Sequence, residues 1–140
     1  MTDPDCIFCK IVAGDIPSIQ VASDEQTIAF MDIAPATRGH LLVIPRRHYP
    51  DLLTVDDEDL IAVTLMARRM AALVVDKLDA DGVNLLNACG SAAWQTVFHF
   101  HMHVIPRYRD DPARDALKLP WIPTPGDMDD IAAAAEELST

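Results

Sequence analysis

The sequence predicts an α+β domain: an antiparallel sheet of about five strands around one long helix, followed by a C-terminal helix. Three observations carry that prediction. Short apolar runs rich in β-branched and aromatic residues recur with turn residues between them: "TIAFMDI" (27–33), "HLLVIP" (40–45), "GVNLLNA" (82–88) and "VFHFHMHVIPR" (97–107). One long stretch, Thr54 to about Leu78, instead carries apolar residues at 60, 63, 67, 70, 71, 74 and 78, the three-and-four spacing of an amphipathic helix. The links between the runs are of hairpin length, which favours antiparallel neighbours.

Taken in order, the opening stretch is expected to supply a strand. "APATRG", with Pro35 and Gly39, turns the chain between the runs at 27–33 and 40–45. "TVDDED" places a cap and first-turn acids ahead of the long helix, and "GDMDDIAAAAEEL" (126–138) reads as a C-terminal helix with acids near its start. With no repeat, low-complexity stretch or break in composition, residues 1–140 are expected to form one domain.

Composition narrows the function classes. Half of the 140 residues are hydrophobic, yet no apolar run approaches the roughly 20 residues of a membrane span, and "MTDPDCIF" lacks the basic and apolar blocks of a signal peptide. The formal charge of −11 argues against a nucleic-acid surface, and an anionic substrate would have to be attracted locally, against the field of the whole chain. Three cysteines, an odd number, suit a reducing compartment, so Cys6, Cys9 and Cys89 are expected as thiols or metal ligands in a soluble cytoplasmic protein.

The run 97–107 is the unusual feature. In extended backbone His99, His101 and His103 share one face, while Phe98, Phe100, Met102 and Val104 occupy the other, which is expected to be core. Three alternating imidazoles admit three readings: satisfied surface histidines, a zinc-binding triad, or a nucleophilic imidazole able to attack phosphorus. The small-residue loop "NACGSAAWQT" running into the strand favours phosphate chemistry, because its backbone amides can cradle an anionic oxygen.

The pattern H-φ-H-φ-H-φ-φ, with φ apolar, preceded by Gln95-Thr96, resembles the signature of the histidine triad (HIT) family of nucleotide hydrolases and transferases. "CIFCKIVAGDIPS" and "AFMDIAPATRGHLLVIPRRH" are similar to further HIT segments in the same order, so the resemblance covers about residues 5–110 and leaves 111–140 as an extension. It points to the Hint-like branch, in its zinc-containing bacterial form.

The resemblance implies that His101 is the nucleophile, forming a nucleotidyl-imidazole that water then hydrolyses. It implies that His103 contacts the phosphoryl oxygens, that Gln95 and Thr96 supply donors there, and that His40 helps to orient the catalytic imidazole. Asp32 would accept the ribose hydroxyls, and Ile7, Phe8, Phe30 and Ile33, together with Ile16, would wall an apolar slot open to adenine and guanine alike. By itself Cys6-x-x-Cys9 is a redox pair, half of a zinc site or two small core residues. The resemblance adds His48 and His99 to it, a Cys2His2 set that would hold a structural Zn2+ ion.

Two positions depart from the family pattern. Ala88 stands where many relatives carry a phosphate-binding Asn or Gln, and Trp94 stands where glycine is common, a strained choice if that position needs positive φ. The implied activity is hydrolysis of nucleoside 5′-phosphoramidates or adenylylated small molecules, releasing AMP or GMP, by a homodimer paired across Leu60 to Leu78 and a sheet edge. Alternatives are a dinucleoside polyphosphate hydrolase or phosphorylase, a regulatory nucleotide-binding module with little turnover, and a zinc-dependent hydrolase using the triad as ligands.

Overall fold

A computed structural model describes residues 2–139. The elements run α1 (Ile7–Ala13), β1 (Gln20–Ser23), β2 (Thr27–Met31), β3 (Leu41–Pro45), α2 (Asp57–Leu78), β4 (Gly82–Leu86), β5 (Met102–Arg107) and α3 (Met128–Leu138). The five strands form one antiparallel sheet in the order β1-β2-β3-β5-β4. The α+β class and the strand number agree with the sequence expectation.

Side-chain alternation in the central strands divides the core into two layers. Ala29, Leu41, Val43, Phe100 and Val104 point to the α2 side and pack on Val63, Met66, Ala67, Met70 and Val74. Ile28, Phe30, Leu42 and Ile44 point the other way, onto Phe8, Cys9 and Ile11 of α1. Because both faces are covered, all five residues of β3 are buried, and the run reads as continuously apolar.

Helix α2 begins at Asp57 rather than Thr54, where the Asp56 side chain accepts the Asp59 N–H and Asp57, Glu58 and Asp59 line the first turn. It ends on Asp79, which takes a left-handed conformation with φ 54°. Helix α3 forms as expected, with Asp129 and Asp130 in its first turn; Asp127 caps it, and none of its residues is buried.

Two expectations need correction. The opening stretch is the helix α1, capped by Cys6, and the first strand lies farther on at Gln20–Ser23. The histidine run pairs as a strand only over Met102–Arg107, with β3 supplying Leu41 to Val43 and β4 supplying Gly82 to Leu86. Pro45 has no N–H to extend the β3 ladder. Upstream, other groups take the backbone's partners: Phe100 N–H donates to the Tyr49 carbonyl at 2.7 Å, and Asn87 Nδ2 donates to the His101 carbonyl at 2.9 Å. Phe98, expected in the core, is half exposed, whereas Phe100 is fully buried.

Candidate active site

The three histidines serve two neighbouring centres on the α1 side of the sheet. In the first, Cys6 caps α1, Cys9 lies in its first turn, His48 follows β3 and His99 precedes β5. Cys6 Sγ is 3.4 Å from His99 Nδ1, Cys9 Sγ is 3.4 Å from His48 Nδ1 and 3.6 Å from His99 Nδ1, and the two Nδ1 atoms are 3.3 Å apart. Tetrahedral zinc with ordinary bond lengths separates S from N by about 3.5 Å and N from N by about 3.4 Å. The donor set therefore suits a zinc ion in both chemistry and spacing.

Its surroundings agree. His99 Nε2–H donates to the Pro45 carbonyl at 2.9 Å, which leaves a lone pair on Nδ1, facing the thiols. His48 Nε2 lies 3.8 Å from Asp3 Oδ2, and the sulfurs of Cys6 and Cys9 accept backbone N–H groups from Cys9 and Asp3. Burial pushes the Cys9 thiol up, against the Asp3 N–H, so the thiolate form calls for a cation.

The second centre is a cavity of about 280 Å³ lined by Ile7, Phe8, Ile11, Ile16, Pro17, Phe30, Met31, Ile33, Leu42 and Val97 among apolar residues and by Ser18, Asp32, Thr96, His101 and His103 among polar ones. The resemblance-based apolar residues meet here, Ile33 as a lip 92% exposed. His101 Nδ1–H donates to the His99 carbonyl at 2.7 Å, so Nε2 carries the free lone pair. Burial lowers its pKa further than the His99 carbonyl and Asp32 raise it, which keeps the ring neutral near pH 7. His103, its ring centroid 5.0 Å from that of His101, is pushed down to about 4 by burial and by the neighbouring imidazoles of His101 and His40.

Two residues sit differently from the expectation. His40 is buried behind the cavity, and its Nε2 meets His103 Nδ1 at 2.9 Å; the imidazole it orients is His103, while His101 is oriented by backbone. Gln95 was expected to donate to phosphate. Both N–H groups of its amide are engaged, by the carbonyls of Pro50 at 2.8 Å and Val97 at 3.1 Å, and its Oε1 accepts the Gly90 N–H at 2.8 Å. It pins the loop 90–97 and has no donor left for the cavity.

Trp94 does adopt positive φ, 72°, with its indole 79% exposed. Sequence reasoning missed Ile11, Pro17, Ser18, Met31, Leu42 and Val97 in the lining, and the Asn87 bond to the His101 carbonyl. Ile7, Phe8 and Ile11 share a helical face, a signal that was present in "CIFCKI" and was hidden by reading that stretch as extended.

The free Nε2 of His101 thus lies in a cavity whose polar side also carries Asp32, Thr96 and His103. Residues 13–110 match the HIT domain family. Protein hit of Bacillus subtilis is 46% identical over 104 residues, covering 74% of this chain and 72% of its own. An adenosine 5′-monophosphoramidase of Schizosaccharomyces pombe is 35% identical over 135 residues, covering 96% of each chain. Among solved structures, a Zn-bound histidine triad family protein from Mycobacterium smegmatis superposes with a TM-score of 0.75 at 38% identity, covering 96% of this chain and 95% of its own. The chain belongs to the HIT family.

Proposed function

We propose that this protein hydrolyses nucleoside 5′-phosphoramidates or adenylylated small molecules through a nucleotidyl intermediate on His101. The observation that carries the reading is the His101 tautomer: with Nδ1–H on the His99 carbonyl, Nε2 is the nucleophilic nitrogen in the cavity wall. The S. pombe phosphoramidase, similar over nearly its whole length, supports the reaction class.

In the first step the Nε2 lone pair attacks the α-phosphorus, the P–N bond to the leaving group breaks, and the departing amine takes its electron pair and a proton drawn from solvent. Water then attacks phosphorus, the P–Nε2 bond breaks, the imidazole regains its lone pair, and AMP or GMP leaves with a proton released to solvent. In this reading His103 and the Thr96 hydroxyl donate to the phosphoryl oxygens and Asp32 accepts from the ribose, roles supported by the presence of all three in the cavity lining. Ser18 is the one hydrogen-bonding side chain that lines the cavity beside Ile16, and a single hydroxyl, able to donate or accept, suits both purines.

The Cys6, Cys9, His48 and His99 set holds Zn2+ in a structural role: four protein ligands leave no open position for substrate. An odd count of three cysteines, two of them in the zinc set, supports a cytoplasmic setting. A homodimer across α2 and the sheet edge at β4 is supported by exposed Ile61, Leu65 and Leu85, and sedimentation of the full chain tests it. Among the described residues no helix is long and apolar enough to cross a membrane.

Incubation with adenosine phosphoramidate and, separately, with diadenosine polyphosphate tests the reaction. AMP from the first substrate is expected, and a faster reaction with the second would transfer the assignment to the polyphosphate branch. Binding of AMP with no turnover of either substrate would leave a regulatory module.

A further inference from the structure

Ala36 offers no side-chain chemistry, yet its backbone N–H donates to His40 Nδ1 at 3.0 Å. A backbone amide can only donate, so Nδ1 must hold a lone pair, and the one proton of the neutral ring sits on Nε2. That Nε2 lies 2.9 Å from His103 Nδ1, which must then accept, so the proton of His103 sits on its own Nε2. Asp32 reinforces the arrangement: Oδ1 is taken by the Ala34 N–H at 2.8 Å, and Oδ2, an acceptor, lies 3.6 Å from His40 Nε2. His40 is only 5% exposed, so little water competes for either nitrogen.

We propose that the Ala36 backbone N–H fixes the proton positions of His40 and His103, so that His103 presents a permanent Nε2–H donor to the phosphoryl group that His101 attacks. His40 is then a positioning residue that acts on His103. The functional half rests on the reading of His101 as nucleophile, whereas the proton positions can be measured without substrate. A donor fixed before the phosphate arrives needs no reorganisation as charge shifts onto the phosphoryl oxygens. With the opposite tautomer, His103 would turn a lone pair toward those anionic oxygens.

The same lock bears on metals. Asp32, His40 and His103 offer three ligand atoms within 4.8 Å of one another, the outline of a second cation site. A metal on His40 Nε2 would drive the ring proton onto Nδ1, directly against the Ala36 N–H. The lock therefore disfavours zinc at this set by the cost of one buried hydrogen bond.

Long-range proton–nitrogen NMR of the zinc-loaded protein, labelled with ¹⁵N-histidine and assigned with His40→Gln and His103→Gln, reads each tautomer at neutral pH. His40 and His103 are expected with a bare Nδ1 and a protonated Nε2, and His101 with the reverse. A protonated Nδ1 on His40, or signals averaged over both tautomers, would overturn the proposal. The second arm compares His40→Gln with His40→Leu. The glutamine amide reproduces an acceptor for Ala36 and a donor for His103, and leucine reproduces neither. His103 should keep its Nε2–H in the glutamine variant and average between tautomers in the leucine variant. The kcat for adenosine phosphoramidate should fall about tenfold further with leucine, with the two KM values close, as expected for loss of a transition-state contact. An unchanged His103 tautomer in the leucine variant would overturn the proposal. Absence of turnover in the wild type would refute the functional reading, and the spectrum would still decide the proton positions.

Discussion

His99 and His101 are two residues apart on one apolar run and hold their protons on opposite nitrogens. His99 gives Nε2–H to the Pro45 carbonyl and turns Nδ1 to the thiols; His101 gives Nδ1–H to the carbonyl of His99 itself and keeps Nε2 free. In each case a backbone carbonyl makes the choice. The same side chain thus turns Nδ1 to a thiol pair at one position and Nε2 to the cavity two residues on, and the backbone of the first orients the second.

If the two centres divide the labour in this way, their variants should fail differently. His101→Ala is expected to have the largest effect, about a 10⁴-fold or greater loss of kcat with its zinc content intact, since it removes the nucleophile and no metal ligand. Single-turnover assay beside metal analysis checks it; zinc lost together with His101 would make the triad a metal site after all. Cys6→Ser should do the reverse. It should release the metal and destabilise the fold by several kcal/mol, read as a lowered thermal midpoint that a chelator reproduces in the wild type. Activity should follow folded protein, because the His99 carbonyl that holds His101 lies on the zinc-ligand residue.

The division was only partly legible in the sequence. Period two correctly puts the three histidines on the face opposite Phe100 and Val104. The strands β2 to β5 and α2 follow from their apolar patterns, whereas β1, four residues of which none is buried, carries no such signal. Helix α1 spans seven residues, less than two full turns, and apolar Ile7, Phe8 and Ile11 in so short a run do not separate helix from strand. The proton positions were out of reach, because they depend on contacts set by tertiary register. Leu42 pairs with His103, so His40 arrives beside His103 and not beside His101. The partners of Gln95 at Gly90 and Pro50 are hidden for the same reason.

Asn87 offers a smaller test on the nucleophile side. Its Nδ2 holds the His101 carbonyl at 2.9 Å, and its buried Oδ1 has no partner among the described residues. Asn87→Asp replaces the donor with an acceptor against that carbonyl, and should cost more stability and more kcat than Asn87→Ala. For the alanine variant about 1 kcal/mol is expected, because the stranded carbonyl is offset by removal of the unpaired Oδ1. In both variants kcat should fall several-fold with little change in KM and full zinc content. Loss of zinc in either would mean that the two centres are more tightly joined than their separate ligands imply.

The smallest expected effect is at Trp94, beyond both centres. Its φ of 72° lies in the left-handed region, where a Cβ costs about 1–2 kcal/mol, and its 79% exposed indole recovers little of that by burial. Trp94→Gly relieves the strain but enlarges the entropy of the unfolded chain, which returns roughly half of the gain. A net stabilisation of about 0.5–1 kcal/mol by denaturant unfolding is the expected outcome, with the zinc content unchanged. A loss of stability would mean that the indole packs on something in solution, and a second copy of the chain is the partner to look for first. If kcat for adenosine phosphoramidate moves while KM and stability stay level, the indole acts on the leaving group, and the loop that Gln95 pins belongs to the phosphate side of the comparison.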